Sequence, residues 1–274
     1  MTPSLLNKAL FCAFSCLSMS AFAGPVSQLY LTTDFNSGSR TYIVQGNTVT
    51  SFNNPNGNES AIAVYGDVRT FGDSGYSNKG SQYDLAGNLI AANAYTTPSG
   101  ISNYYDGTTD GSYNYTLDHN GSGYAVHRYD RNWANRSVLF TPQIRSSGIT
   151  YDTVHNTLWV LNTVGSGTAM EQWSLGGTFI SRVTLSPNAS LGYALAFDPA
   201  DQTFWTINYS SHQMYQYGAN GALLSTTSLP GISGYTLGAE FNLGAAVHVA
   251  EPAVPALFAL GLGLLGLARR QRKA

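Results

Sequence analysis

Short runs of alternating apolar and polar residues, each closed by a turn signal, recur along the chain. Gln172-Trp173-Ser174-Leu175-Gly176-Gly177-Thr178-Phe179 matches Gln216-Tyr217-Gly218-Ala219-Asn220-Gly221-Ala222-Leu223, and both match Gln82-Tyr83-Asp84-Leu85-Ala86-Gly87-Asn88-Leu89. Each predicts a strand ending on an aromatic, a turn closed by glycine four residues later, and a second strand. The unit recurs at Tyr42 with Gly46, and at Tyr129, where Trp133 stands in the glycine position. The aromatics Tyr42, Tyr83, Tyr129, Trp173 and Tyr217 are 41, 46, 44 and 44 residues apart, and a second aromatic (Tyr30, Phe71, Tyr115, Trp159, Trp205) precedes each by 12 to 14. Apolar strands ending near aspartate precede these, most clearly at 148–152 and 194–198.

Four strands in about 44 residues predict one blade of a β-propeller, and five such units predict five four-stranded blades. The first repeat begins on its second strand at Gln28, while 235–241 reads as a first strand without a blade; Phe241 lies 44 residues after Phe197. Pairing these two ends would close the ring and leave no large exposed sheet edge. The alternatives are a four-bladed ring with an extra hairpin, or a β-sandwich. The all-β propeller is assigned to residues 24–243, followed by a spacer over 244–250.

Both ends of the chain differ from this body. At the N-terminus, Lys8, the apolar stretch 9–19 and Ala21-Phe22-Ala23 predict a secretory signal peptide over 1–23, cleaved after Ala23. At the C-terminus, Glu251-Pro252 precedes an uncharged apolar run over 253–268, and Arg269, Arg270, Arg272 and Lys273 follow it. Sixteen helical residues reach about 24 Å, slightly short of a hydrocarbon core of about 30 Å, a gap that a thin bilayer or snorkelling arginines would close. The basic end would stay cytoplasmic and the body would lie across the membrane. This tripartite tail resembles the PEP-CTERM sorting signal of Gram-negative bacteria, with Ala250 where a first proline is usual. The resemblance covers 251–274 and implies recognition by an exosortase-like membrane protease at the inner membrane. It also implies a place at the cell surface or in an exopolysaccharide, biofilm-type matrix. An ordinary C-terminal anchor is the alternative.

The only two cysteines, Cys12 and Cys16, lie in the signal segment, so the mature body can form no disulfide and offers no thiol chemistry. Residues 24–250 carry eight Lys and Arg against fourteen Asp and Glu, a net charge of −6. That balance gives no electrostatic footprint for nucleic acid.

Candidate chemistry is sparse. The repeat aromatics read as wedges between blades, and Asp152, Asp198, Asn162 and Asn208 as turn caps. Asp34, Asp67, Asp110 and Glu240 are carboxylates on or just after first strands, where a glycoside hydrolase or lyase on this fold would need a facing pair. No motif ties any two of them together. The segment 106–111 (DGTTDG) could offer oxygens to calcium, or form a polar hairpin loop. The five histidines stand singly, and no metal or cofactor is expected. What remains is a surface rich in Tyr, Asn, Ser and Thr, suited to stacking on sugar rings. Trp133, read as exposed in its turn, and Tyr104-Tyr105 are the candidate contact residues. The leading expectation is thus a non-enzymatic surface or matrix protein in contact with exopolysaccharide. A polysaccharide-cleaving enzyme and a protein-partner scaffold are the alternatives.

Overall fold

The computed structural model describes residues 24–25, 27–34, 39–72, 78–98, 104–119, 124–162, 168–186, 192–208 and 210–245. The signal segment with Ala21 and Ala23, the end of the spacer, the Glu251-Pro252 motif, the apolar run 253–268 and the basic cluster lie outside the described residues. Among the described residues no helix is long and apolar enough to cross a membrane.

Among the described residues, twenty strands form five antiparallel sheets of four, arranged as a five-bladed propeller. The first blade contains β1 (Leu29–Asp34), β2 (Arg40–Gln45) and β3 (Thr48–Asn53). The second contains β4 (Glu59–Val64), β5 (Val68–Gly72), β6 (Lys79–Tyr83) and β7 (Leu89–Thr96), and the third β8 (Tyr104–Thr109), β9 (Tyr113–His119), β10 (Tyr124–Asp130) and β11 (Ser137–Phe140). The fourth contains β12 (Ser146–Asp152), β13 (Thr157–Asn162), β14 (Ala169–Ser174) and β15 (Phe179–Thr184), and the fifth β16 (Leu195–Asp198), β17 (Thr203–Ile207), β18 (Gln213–Tyr217) and β19 (Leu223–Ser228). The last strand, β20 (Tyr235–Phe241), is the inner strand of the first blade and pairs with β1, Leu29 opposite Phe241 and Tyr30 opposite Glu240. The ring is therefore closed by both ends of the chain, and the four-bladed and sandwich alternatives fall away.

Each repeat aromatic sits where the 44-residue period puts it. Tyr30, Phe71, Tyr115, Trp159 and Trp205 are on second strands, Tyr42, Tyr83, Tyr129, Trp173 and Tyr217 on third strands, and all ten are buried. Blades are sheets whose two faces both meet neighbours, so large side chains fill the wedges between them. The turn glycines also have a physical reason. Gly87, Gly177 and Gly221 have φ between +81° and +87°, a region that favours glycine. A side chain at Gly221 would also press on the Thr184 carbonyl.

Strand direction sorts the connections onto two faces. Turns between first and second strands, and between third and fourth, all lie on one face, here called the tight-turn face; the remaining connections lie on the opposite, loop face. Asp84, Asp110, Asp130, Asp152 and Asp198 open tight turns and accept backbone N–H bonds two to four residues on. Asn208 does the same on the loop face. The capping role expected of Asp152, Asp198 and Asn208 is what these bonds perform.

Candidate functional site

The inner strands β4, β8, β12, β16 and β20 surround the propeller axis, and the axis is filled. Asp106 is fully buried there. Its Oδ1 accepts the N–H groups of Gly107 and Ala239, both at 2.9 Å, and its Oδ2 those of Ile149 at 2.9 Å and Leu195 at 2.8 Å. One carboxylate thus joins inner strands of four blades. Nearer the tight-turn face, the Thr108 hydroxyl accepts from Tyr151 N and the Thr150 hydroxyl from Phe197 N, both at 2.9 Å. Glu240 completes this tier: its Oε1 accepts from the Thr150 hydroxyl at 3.2 Å and from Phe241 N at 3.1 Å, while Oε2 has no partner.

Burial pushes both carboxyls well above the ordinary carboxylate range, and the Asp106 charge pushes Glu240 further in the same direction. Four N–H donors pull Asp106 back toward the anion, whereas Glu240 accepts fewer bonds beside the Asp106 charge, so protonation is the more favoured on Glu240. The inner strands also approach closely. A Cβ on Gly238 would lie 2.3 Å from the Ser60 carbonyl oxygen, so the backbone there has no room for a side chain.

This hub departs from the sequence reading. The segment 106–111 is neither a hairpin loop nor an open calcium loop: Asp106 to Thr109 belong to β8, and only Asp110-Gly111-Ser112 turn. Asp106 was legible only as one acid in a polar stretch, because what distinguishes it is the convergence of strands up to 133 residues away. Among the four carboxylates named from sequence, only Glu240 is at the axis. Asp67 is held by Arg69 Nε at 2.7 Å, Arg131 Nη2 at 2.9 Å and Gln82 Nε2 at 2.6 Å, and Asp110 caps its turn and accepts from the Tyr115 hydroxyl at 2.7 Å. Asp34 ends β1 at the loop face, on the other side of the ring from these two. Asp106 and Glu240, the carboxyls that meet at the axis, are both at 0% exposure, so a sugar ring has no path to them. Among the described residues no group of three His, Cys, Asp or Glu side chains could hold a metal ion.

The contact aromatics divide. Trp133, expected to be exposed, is 1% exposed and packs between blades two and three, its ring parallel to Phe71 at 4.7 Å. It does occupy the glycine position, and with the matching backbone: φ is +54°. Burial of a large ring outweighs the strain of that conformation, on the order of 1–2 kcal/mol. Tyr104 is fully buried as well, its hydroxyl 2.6 Å from that of Tyr129. Neither side chain offers a face to a ligand. Tyr105 is half-buried at the loop end of β8 and stacks on half-buried Tyr193 with ring centroids 4.7 Å apart and planes 19° apart. The pair joins the third and fifth blades on the loop side of the Asp106 hub. Farther out on this face, Arg145 lies 5.1 Å over the Tyr124 ring, and Tyr235 is 50% exposed at the start of β20. Tyr193 escaped the sequence reading because no repeat position marks it; only the ring brings it to Tyr105.

No family model matches the chain, and no curated protein matches it. Among solved structures, a chain of a nidogen/laminin complex is similar with a TM-score of 0.55 and 13% identity, covering 80% of this chain and 100% of that one. A gluconolactonase from Xanthomonas campestris gives 0.49 and 10% over 76% and 78% of the two chains. A protein of unknown function from Bacteroides caccae gives 0.44 and 11% over 77% of each. At these identities the likeness is one of fold, and the chain is a five-bladed β-propeller whose activity no relative supplies.

Proposed function

We propose that this chain is an exported cell-surface or matrix protein that holds polysaccharide on its loop face without cleaving it. The reading combines the signal-like N-terminus, the PEP-CTERM-like tail acting through an exosortase-like protease, and a propeller body whose central carboxyls are sealed from substrate. The observation that carries the binding half is the Tyr105–Tyr193 stack, a half-buried aromatic platform on the loop side of the Asp106 hub. Sugar rings present C–H faces to such platforms, and Tyr124, which carries Arg145 over its ring, and Tyr235 lie on the same face. Two fully buried carboxyls at the axis speak against the polysaccharide-cleaving alternative.

The test is to pass the processed chain over the host's immobilised exopolysaccharide and to measure retention together with release of reducing ends. Retention that falls with Tyr105→Ala, and no new reducing ends, is the expected result. Cleavage of the polymer, or retention indifferent to Tyr105 and Tyr193, overturns the proposal.

A further inference from the structure

Both ends of the described chain leave the ring on the tight-turn face. β20 runs from the loop face to the tight-turn face and β1 runs back, so the residues before Leu29 and after Phe241 emerge together. Hydrogen bonds fix them there. Asn242 N donates to Gln28 O at 3.4 Å, Leu243 N to Val64 O at 3.1 Å, and Gly66 N to the Asn242 side chain at 3.2 Å. On the N-terminal side, Ser27 N donates to Asp198 at 3.1 Å and Gly46 N to Pro25 O at 3.3 Å. Val64, Gly66, Gly46 and Asp198 all border tight turns. The two exits are therefore one place on the molecule, fixed by strand polarity.

We infer that, as long as its tail spans the membrane, the propeller is mounted with its tight-turn face toward the bilayer, which directs the loop face, with Tyr105, Tyr193, Tyr124 and Tyr235, away from it and toward any polymer on the far side. The inference rests on the proposed membrane tail and goes beyond it in assigning a direction. Residues 246–252 separate Ala245 from the apolar run, a tether of about 28 Å when fully extended. A compact body of this length has a radius of gyration near 17 Å and hence a diameter of about 44 Å. The tether is shorter than the body is wide, so it cannot pass around the ring and let the loop face lie on the bilayer. An uncleaved N-terminal segment would act from the same face and give the same orientation. The partner that fits the outward face is a polysaccharide chain lying across the Tyr105–Tyr193 stack.

The absence of cysteine after Cys16 makes the test direct. With Cys12 and Cys16 replaced by serine, single cysteines are placed in the full-length chain at exposed Ala86→Cys, on the tight-turn face, and exposed Ser228→Cys, on the loop face. Each is labelled with a fluorophore and reconstituted in phosphatidylcholine vesicles bearing a nitroxide on the headgroup. Flotation with the vesicles tests the tail, and quenching tests the direction. The expected result is co-flotation of both, with quenching at position 86 at least threefold stronger than at 228. Co-flotation with equal or reversed quenching overturns the mounting while leaving the tether intact. A chain that does not float overturns the tether and the mounting with it.

Discussion

The seam between blades four and five and the seam between blades two and three solve the same geometric problem with different chemistry. In the first, Trp159, Leu161 and Met170 of blade four meet Phe197, Phe204 and Tyr217 of blade five, with Trp159 and Phe204 ring centroids 5.0 Å apart. In the second, Phe71 and Tyr95 meet Tyr104, Tyr129 and Trp133, but polar groups cross as well. Arg131 reaches from blade three to Asp67 of blade two while also bonding Thr109 and Asn114, and Arg69 reaches back to the Arg131 carbonyl at 2.7 Å. The buried His127–Asp118 contact, at 3.4 Å, lies in the same blade. An apolar seam is held by area and tolerates exchange of one large side chain for another, whereas a polar seam depends on partners in particular places. The polar seam also borders the one repeat whose turn departs from the pattern, with Trp133 in the glycine position.

The most severe way to break the comparison is to remove the carboxylate that ties four of the five blades together. Asp106→Leu deletes the acceptor of four buried N–H groups and should cost about 4–5 kcal/mol, read by chemical denaturation. A loss under about 1 kcal/mol would mean that the seams alone hold the ring. Next, Phe204→Ala in the apolar seam should cost about 3–4 kcal/mol, by the same amount at low and high salt. Arg131→Met in the polar seam should cost about 2–3 kcal/mol and weaken the salt response of stability, since it leaves Asp67 without one of its two guanidinium partners. Equal salt behaviour of these two variants would erase the distinction between the seams.

Glu240→Gln should act in the opposite sense. Burial raises the Glu240 carboxyl above its ordinary range, so the folded chain keeps a proton that the unfolded chain releases. Its contribution is most favourable below the ordinary glutamate value and is lost progressively as pH climbs toward the folded-state value. The amide carries no such proton, so the variant should gain about 1 kcal/mol at neutral pH and flatten the fall of melting temperature between mildly acidic and neutral pH. The smallest effect on stability, under about 1 kcal/mol, is expected for Tyr105→Ala, whose readout is instead the loss of polysaccharide retention.

The repeat was legible because it is written in large side chains at a fixed spacing. The aromatics of second and third strands and the turn glycines are local signals, and five of them at one period specify blades without knowledge of contacts. The orphan strand 235–241 announced ring closure for the same reason. Trp133 shows the limit of such reading. Its place in the glycine position of the repeat was visible, but not that its ring turns inward onto Phe71, because Phe71 is 62 residues away.

The sequence by itself therefore determined the all-β repeat, the pair of strands able to close a ring and the cysteine-free body, whereas the choice of five blades over four or a sandwich came from the structure. Periodicity and turn chemistry are properties of neighbouring residues, and they survive translation into structure. Only the tertiary structure decided which carboxylate becomes the hub, which aromatics are sealed and which reach the surface, and on which face both chain ends emerge. Those depend on five inner strands meeting at one axis. Burial there changes what a carboxylate or a tyrosine can do, and nothing local in the chain records that burial.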